Sequence, residues 1–188
     1  MSKINLQNFF SKNPKIKYSC AKQAVEISKN TPEELYPDLD FLLQFLDGEN
    51  KILKWTAIIV IGNLSRVDKQ KKVDALIPKL ITFLPDKSMI TAANTIQSLS
   101  VIAMNKPEHL DVILKELLKV EKAKYYSSKG EVSPECTNVA IGHVINSLSK
   151  FGELVLKRNE VIDFLKRQTK NTRIKVQKSA QLLLDNIK

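Results

Sequence analysis

The chain has 188 residues and a formal net charge of +10, from 30 Lys plus Arg against 20 Asp plus Glu, with 43% hydrophobic residues. This length fits one domain or one short array of repeats, and this composition excludes wholesale disorder. Five Gly, seven Pro and two Cys exclude a collagen-like chain, a turn-rich all-β chain and a multi-disulfide framework.

The opening segment MSKINLQNFF shows no long apolar stretch before a small-residue cleavage site, so a secretory leader is not expected. Residues 4–11 leave room only for a short outer cap before Asn13. At Asn13-Pro14 a helix start is written in the residue types: a side chain that accepts from free N–H groups, then a proline where the missing N–H costs nothing. Ile16, Cys20, Ala24 and Ile27 then fall on one helical face. Thr31-Pro32-Glu33-Glu34 opens a partner helix over roughly 32–47, with acids where the dipole favours them and Asp47-Gly48 as its end. Asn50 caps the next helix, which places Leu53, Ala57, Ile61 and Leu64 on one face and is apolar nearly all round. Its run Ala57-Ile58-Ile59-Val60-Ile61 is about a quarter of the ~20 residues that span a bilayer, so a cytoplasmic protein is expected.

Further partner helices are expected over roughly 68–84, 107–124 and 153–169, with helix starts at Asp86, Ser133 and Asn171. The five starts lie 37, 36, 47 and 38 residues apart, from Asn13 to Asn50, Asp86, Ser133 and Asn171. A period in this range signals stacked helix pairs. The small residues Cys20, Ala57, Ala92, Ala140 and Ala180 recur near the first buried turn, where they let a neighbouring helix approach. No segment of useful length alternates with period two, so no sheet is expected.

Residues Asn13 to Val25 match the Asp-Pro-x-Val-Arg-x-x-Ala-x-x-Ala-Leu pattern of second helices in HEAT repeats, and Asn50 to Leu64 match it too, Gly62 and Leu64 included. The third and fourth segments fit less well, and the fifth needs a one-residue shift at Ala180. On these residues the chain resembles the HEAT repeat (armadillo-like) family over almost its whole length. The resemblance implies an all-α fold, a right-handed α-α superhelix of about five HEAT-like helix pairs. Their bounds are roughly 1–30, 31–66, 67–105, 106–150 and 151–188, with an insertion near 124–132. It also implies a non-enzymatic interaction or scaffold module whose concave face binds a protein partner. Arrays of this kind host many functions, so the partner is not named by the fold.

Three departures from that pattern supply the candidate binding residues. The acid of the usual inter-repeat ladder is mostly missing, while its basic member survives as Lys17, Lys54 and Lys175. These lysines either bind backbone carbonyls as a remnant ladder or stay free and add positive potential to the inner surface. The 47-residue spacing adds about ten residues around Tyr125 and Tyr126, flanked by Lys124 and Lys129. The tyrosines either stack on bases or anchor a partner, or they pack beneath a prolonged helix that ends in a solvated loop. Near the C-terminus Lys166, Arg167, Lys170, Arg173, Lys175 and Lys178 cluster, as a solvated end face or as a phosphate-binding patch. Against this, residues 31–50 carry six acids and no base.

No Gly-rich phosphate loop, no Cys or His pair at metal spacing and no Ser-His-Asp signature is present, so no enzyme, cofactor or metal is expected. His109 and His143 are isolated, and Cys20 and Cys136 read as small core residues. Some HEAT-like arrays are alkylpurine DNA glycosylases. That alternative would set Trp55 against a nucleotide and Lys17, Lys54 and Lys175 on phosphates. It lacks a carboxylate on the Trp55 helix, Glu49 being the nearest in sequence. The expected partner is a protein with an acidic or helical surface first and a nucleic-acid backbone second, with no membrane and no small-molecule substrate evident.

Overall fold

The computed structural model describes residues 4–187. A 3-10 turn at Leu6–Phe10 precedes α1 (Pro14–Asn30). Two short helices, α2 (Pro32–Leu35) and α3 (Leu39–Leu43), lead to α4 (Lys51–Leu64). They are followed by α5 (Lys72–Ile81), α6 (Met89–Asn105), α7 (Leu110–Leu118) and α8 (Pro134–Phe151). The chain closes with α9 (Glu153–Leu156), α10 (Asn159–Gln168) and α11 (Ile174–Asp185). Helices α1, α4, α6, α8 and α11 pack each against the next as one inner layer, and the others flank it as an outer layer. Among the described residues β-type pairing is limited to isolated bridges at Tyr126.

The inner helices start largely where the capping residues stand. The Asn13 side chain accepts from Lys15 N at 2.9 Å, Asn50 from Ile52 N and Leu53 N at 3.1 and 3.2 Å, and Ser133 from Cys136 N at 3.2 Å. The five small residues are all buried, and they bring the inner helices together. The approach of α4 to α6 is close. A Cβ placed on Gly62 would lie 2.6 Å from Ser98 Oγ and 2.9 Å from Ser98 Cα. That proximity lets Ser98 Oγ donate to Ile58 O at 2.8 Å, a side chain on one inner helix bonding the backbone of its neighbour.

Several expected boundaries differ. The third inner helix begins at Met89 with Ser88 as its cap, not at Asp86, whose side chain instead accepts from Ser88 N at 2.7 Å. The fifth begins at Ile174, and Asn171 accepts from Arg173 N at 2.9 Å just before it. The partner helix expected over 32–47 is interrupted by a 3-10 turn at Tyr36–Asp38, because Pro37 has no N–H for a continuous helix. That over 107–124 keeps α-geometry only in α7, between 3-10 turns at Pro107–His109 and Lys119–Lys122. Ile16, expected on the core face, is exposed.

The late start of α6 has a consequence for the insertion. It does not prolong a helix. After Lys122 the chain runs extended and folds back onto the residues before α6: Tyr126 N donates to Lys87 O at 3.0 Å, and Tyr126 bridges both Ser88 and Val132. A turn closed by Gly130, at φ 77°, brings the strand-like segment round to Ser133, whose N–H donates to Tyr125 O at 2.8 Å. Tyr125 is fully buried there and its hydroxyl donates to Leu84 O at 2.7 Å. Burial, with Asp86 nearby, raises the phenol above its ordinary value, so it stays a neutral donor. Tyr125→Phe should cost about 1–2 kcal/mol by leaving Leu84 O without its donor, and Tyr125→Ala about 3–5 kcal/mol by opening a cavity, both readable in urea melts.

One polar cluster joins the second repeat to the third and the start of the fourth. Lys106 Nζ lies 2.5 Å from Asp74 Oδ1 and 3.0 Å from Asp68 Oδ2. Tyr36 donates to Asp68 Oδ1 at 2.6 Å and Val73 N to Asp68 Oδ2 at 3.0 Å. The Asp68 side chain is fully buried and that of Lys106 is 10% exposed. Buried charges of this kind persist only when paired and hydrogen-bonded.

Candidate functional site

The two layers carry opposite charge. The inner helices hold nine lysines (Lys15, Lys17, Lys22, Lys29, Lys51, Lys54, Lys150, Lys175 and Lys178) against Glu26, Glu135 and Asp185. The outer α-helices hold nine acids against five bases. Many of the outer charges are consumed in a ladder between successive repeats. Lys72 pairs with Asp40 and Lys79 with Asp47, each at 2.6 Å; Arg158 pairs with Asp111 at 2.6 Å and Arg167 with Glu121 at 2.7 Å. Each cation reaches back one repeat to an acid of the preceding one.

The inner layer uses neutral groups for the same purpose. Asn50 donates to Tyr18 Oη at 3.3 Å, Trp55 Nε1 to Thr91 Oγ1 at 3.0 Å, and Asn171 to Asn138 Oδ1 at 3.0 Å. Tyr18, Trp55 and Asn138 are each the fifth residue of their helix; the first two meet the cap or first turn of the next inner helix, and Asn138 meets the turn just before α11. The ladder expected of the lysines is thus made by their neighbours. Among the described residues Lys17, Lys54, Lys175 and Lys178 form neither an ion pair nor a bond to a carbonyl. Lys54 Nζ instead sits 5.3 Å from the Phe83 ring centroid, a ring that Lys79 also covers at 5.5 Å.

The remaining candidates separate. Trp55 is half-buried and its N–H is taken by Thr91, so it serves repeat-to-repeat packing; no carboxylate stands on its helix. Tyr125 is a core residue and offers nothing to a partner. Tyr126 is half-buried, with Lys87 Nζ 5.6 Å from its ring centroid. Lys178 is exposed on α11. Arg173, ahead of α11, is ion-paired with Glu135 of the preceding inner helix. Lys175 does not occupy the position of Lys17 and Lys54. Those are the fourth residues of their helices, whereas the fourth of α11 is Gln177 and Lys175 is the second.

Lys175 lies instead on a groove of about 490 Å³ between α6, α8 and α11. Arg173 and Lys175 line it together with Gln97, His143, Asn146, Ser149 and Ser179, over apolar side chains that include Val139 and Val176. No carboxylate is among its lining residues. His143 Nδ1 is 3.2 Å from Gln97 Nε2, and burial, then Lys175, holds the imidazole below its ordinary pKa. Sequence reading missed His143 and Gln97 as partners. They stand 46 residues apart, one repeat plus the insertion, and nothing local connects them.

Elsewhere, ligand atoms of Asp74, Glu108 and His109 lie within 4.8 Å of one another. The Lys106 ammonium at 2.5 Å already meets the Asp74 charge, which disfavours a cation there. Among the described residues no helix is long and apolar enough to cross a membrane.

No family model matches the chain, and no curated protein matches it. Solved structures do share its architecture. A designed armadillo repeat protein in complex with the peptide (KR)4 aligns with a TM-score of 0.59 at 17% identity, over 97% of this chain and 80% of that one. Computationally designed armadillo repeat proteins for modular peptide recognition give 0.56 at 17% identity, over 96% and 79%. An engineered protein gives 0.52 at 16% identity, over 97% and 94%. The fold is that of a HEAT/armadillo-like repeat protein, a right-handed α-solenoid.

Proposed function

We propose that the chain is a non-enzymatic binding module whose inner helical layer receives an extended, acidic segment of a protein partner. The observation that carries this reading is the separation of charge between the layers: four outer acids are tied to cations of the next repeat, while the inner lysines form no ion pair among the described residues. A basic inner surface raises the local concentration of an acidic chain and speeds its association. The designed proteins of the same fold are described as binding or recognising peptides, one of them the basic peptide (KR)4. The inner helices here carry the sign that repels such a peptide and attracts its opposite.

The test is fluorescence anisotropy with a labelled alternating Glu-Asp peptide and a labelled (KR)4 peptide, at low and near-physiological salt. The acidic peptide should bind and the basic one should not. Exposed ion pairs contribute about 0.5 kcal/mol each, so replacing Lys17, Lys54 and Lys175 together by Ala should weaken binding about tenfold. Equal binding of both peptides, or none at low salt, refutes the reading. Duplex DNA that binds more tightly than the acidic peptide, with a steep salt dependence, replaces the protein partner with a phosphate backbone.

A further inference from the structure

We propose that the groove between α6, α8 and α11 is the anchoring pocket of this inner surface, seating one carboxylate side chain of the acidic segment between Lys175 and the His143 ring, with uptake of a proton by that ring. The inference rests on the reading above and assigns its most selective contact.

The groove's size suits one or two side chains rather than a flat contact. Its charges are one-sided. From α11 and the residue before it come Lys175 and Arg173; from α8 comes His143; from α6 comes only the neutral Gln97. Arg173 is already held by Glu135, so Lys175 is the charge left to meet an anion. The Gln97 amide nitrogen can only donate, so in this arrangement His143 Nδ1 accepts and Nε2 carries the ring hydrogen. A half-buried imidazole with a free N–H beside an unpaired ammonium is a site for a carboxylate oxygen.

Proton uptake follows from the same geometry. In the free protein burial and Lys175 both disfavour the imidazolium. A carboxylate brought into the groove adds the opposite charge and favours it. Gln97 serves both states, because rotating its amide presents the oxygen to a protonated Nδ1. Linkage then requires that the segment binds more tightly as pH falls across the range in which the ring titrates. If the anion raises the His143 pKa by one unit, the gain is at most about tenfold.

The experiment is the same anisotropy titration between pH 7.5 and 5.5, with wild type, His143→Gln and Lys175→Gln. Wild type should bind the Glu-Asp peptide up to about tenfold more tightly at the lower pH. His143→Gln keeps an N–H donor and should bind as wild type does at pH 7.5, with the pH dependence lost. Lys175→Gln should bind about threefold more weakly. The chain has two histidines, so proton NMR gives a direct readout: saturating peptide should raise the titration midpoint of His143. Binding that keeps its pH dependence in His143→Gln, or an unmoved His143 midpoint, overturns the pocket. Loss of affinity in Lys17 and Lys54 variants but not in Lys175→Gln overturns the pocket and leaves the broader reading standing. Absence of any peptide binding overturns both.

Discussion

Gly62→Ala should lower the thermal midpoint by about 6–12 °C, an effect out of proportion to one methyl group. Helix propensity alone favours the substitution by about 1 kcal/mol, since glycine is costly inside a helix. Packing opposes it more strongly. The new Cβ would sit 2.9 Å from Ser98 Cα, so a backbone has to move, not the end of a flexible chain. Separating α4 from α6 costs about 1–3 kcal/mol in overpacking strain and loosens the Ser98 to Ile58 hydrogen bond, worth about another 1–3 kcal/mol where the groups stay buried. In a repeat array, stability is carried by contacts between neighbouring repeats, so a central defect also uncouples the two ends and should broaden the transition. Gly142→Ala is the control. Its Cβ would meet only Val176 Cγ2, at 3.5 Å, an ordinary contact, so that variant should be neutral or slightly stabilised. Equal midpoints for Gly62→Ala and Gly142→Ala would mean that the α4–α6 approach is looser than described.

Lys106→Met should cost about 3–5 kcal/mol at pH 7, because it strands the buried carboxylate of Asp68 and the largely covered one of Asp74 without their cation. The pH dependence separates this cause from simple loss of packing. Burial works against both charged groups. Hydrogen bonding and Coulomb attraction nevertheless hold Asp74 below its ordinary pKa and Lys106 above its own. The sign follows for each. Asp74 contributes stability above its unfolded value of about 3.9, lost as pH falls through its lower folded value. Lys106 contributes stability below its unfolded value of about 10.4, lost as pH rises through its higher folded value. Wild type should therefore be stable on a plateau between about pH 4 and 10 as far as this cluster decides it. Lys106→Met should reverse the acid limb and become more stable from pH 8 toward pH 5, as the stranded Asp74 carboxylate takes up a proton. A variant that loses stability equally at both pH values would show that the ammonium's charge is not what matters.

Local chemistry was legible along the chain. Asn13, Asn50 and Ser133 cap helices as their side chains require, because a cap reaches only two or three residues ahead. Cys20, Ala57, Ala92, Ala140 and Ala180 are buried where the repeat period puts them. The same residues led to the armadillo-like solenoid, since stacked pairs need only a repeated apolar face and small residues at the crossing. Where local signals conflicted with neighbours, sequence misled. Asp86 is a good cap by type, yet Ser88 caps α6, which starts at Met89, because the folded-back insertion pairs with Lys87 and Ser88.

What only the tertiary structure decided depends on register between repeats, which no period along the chain determines. Tyr125 looked available because its partner, Leu84 O, lies 41 residues away across a bend of the insertion. Lys175 appeared equivalent to Lys17 and Lys54 until the true start of α11 shifted it to the groove beside His143. The charge of the chain was countable from the first residue to the last. Its division into an acidic outer set of helices laddered from repeat to repeat and an inner layer of lysines without ion pairs was not. Ion pairs such as Arg158 with Asp111 join residues 47 apart, and only the stacking of helices chooses them.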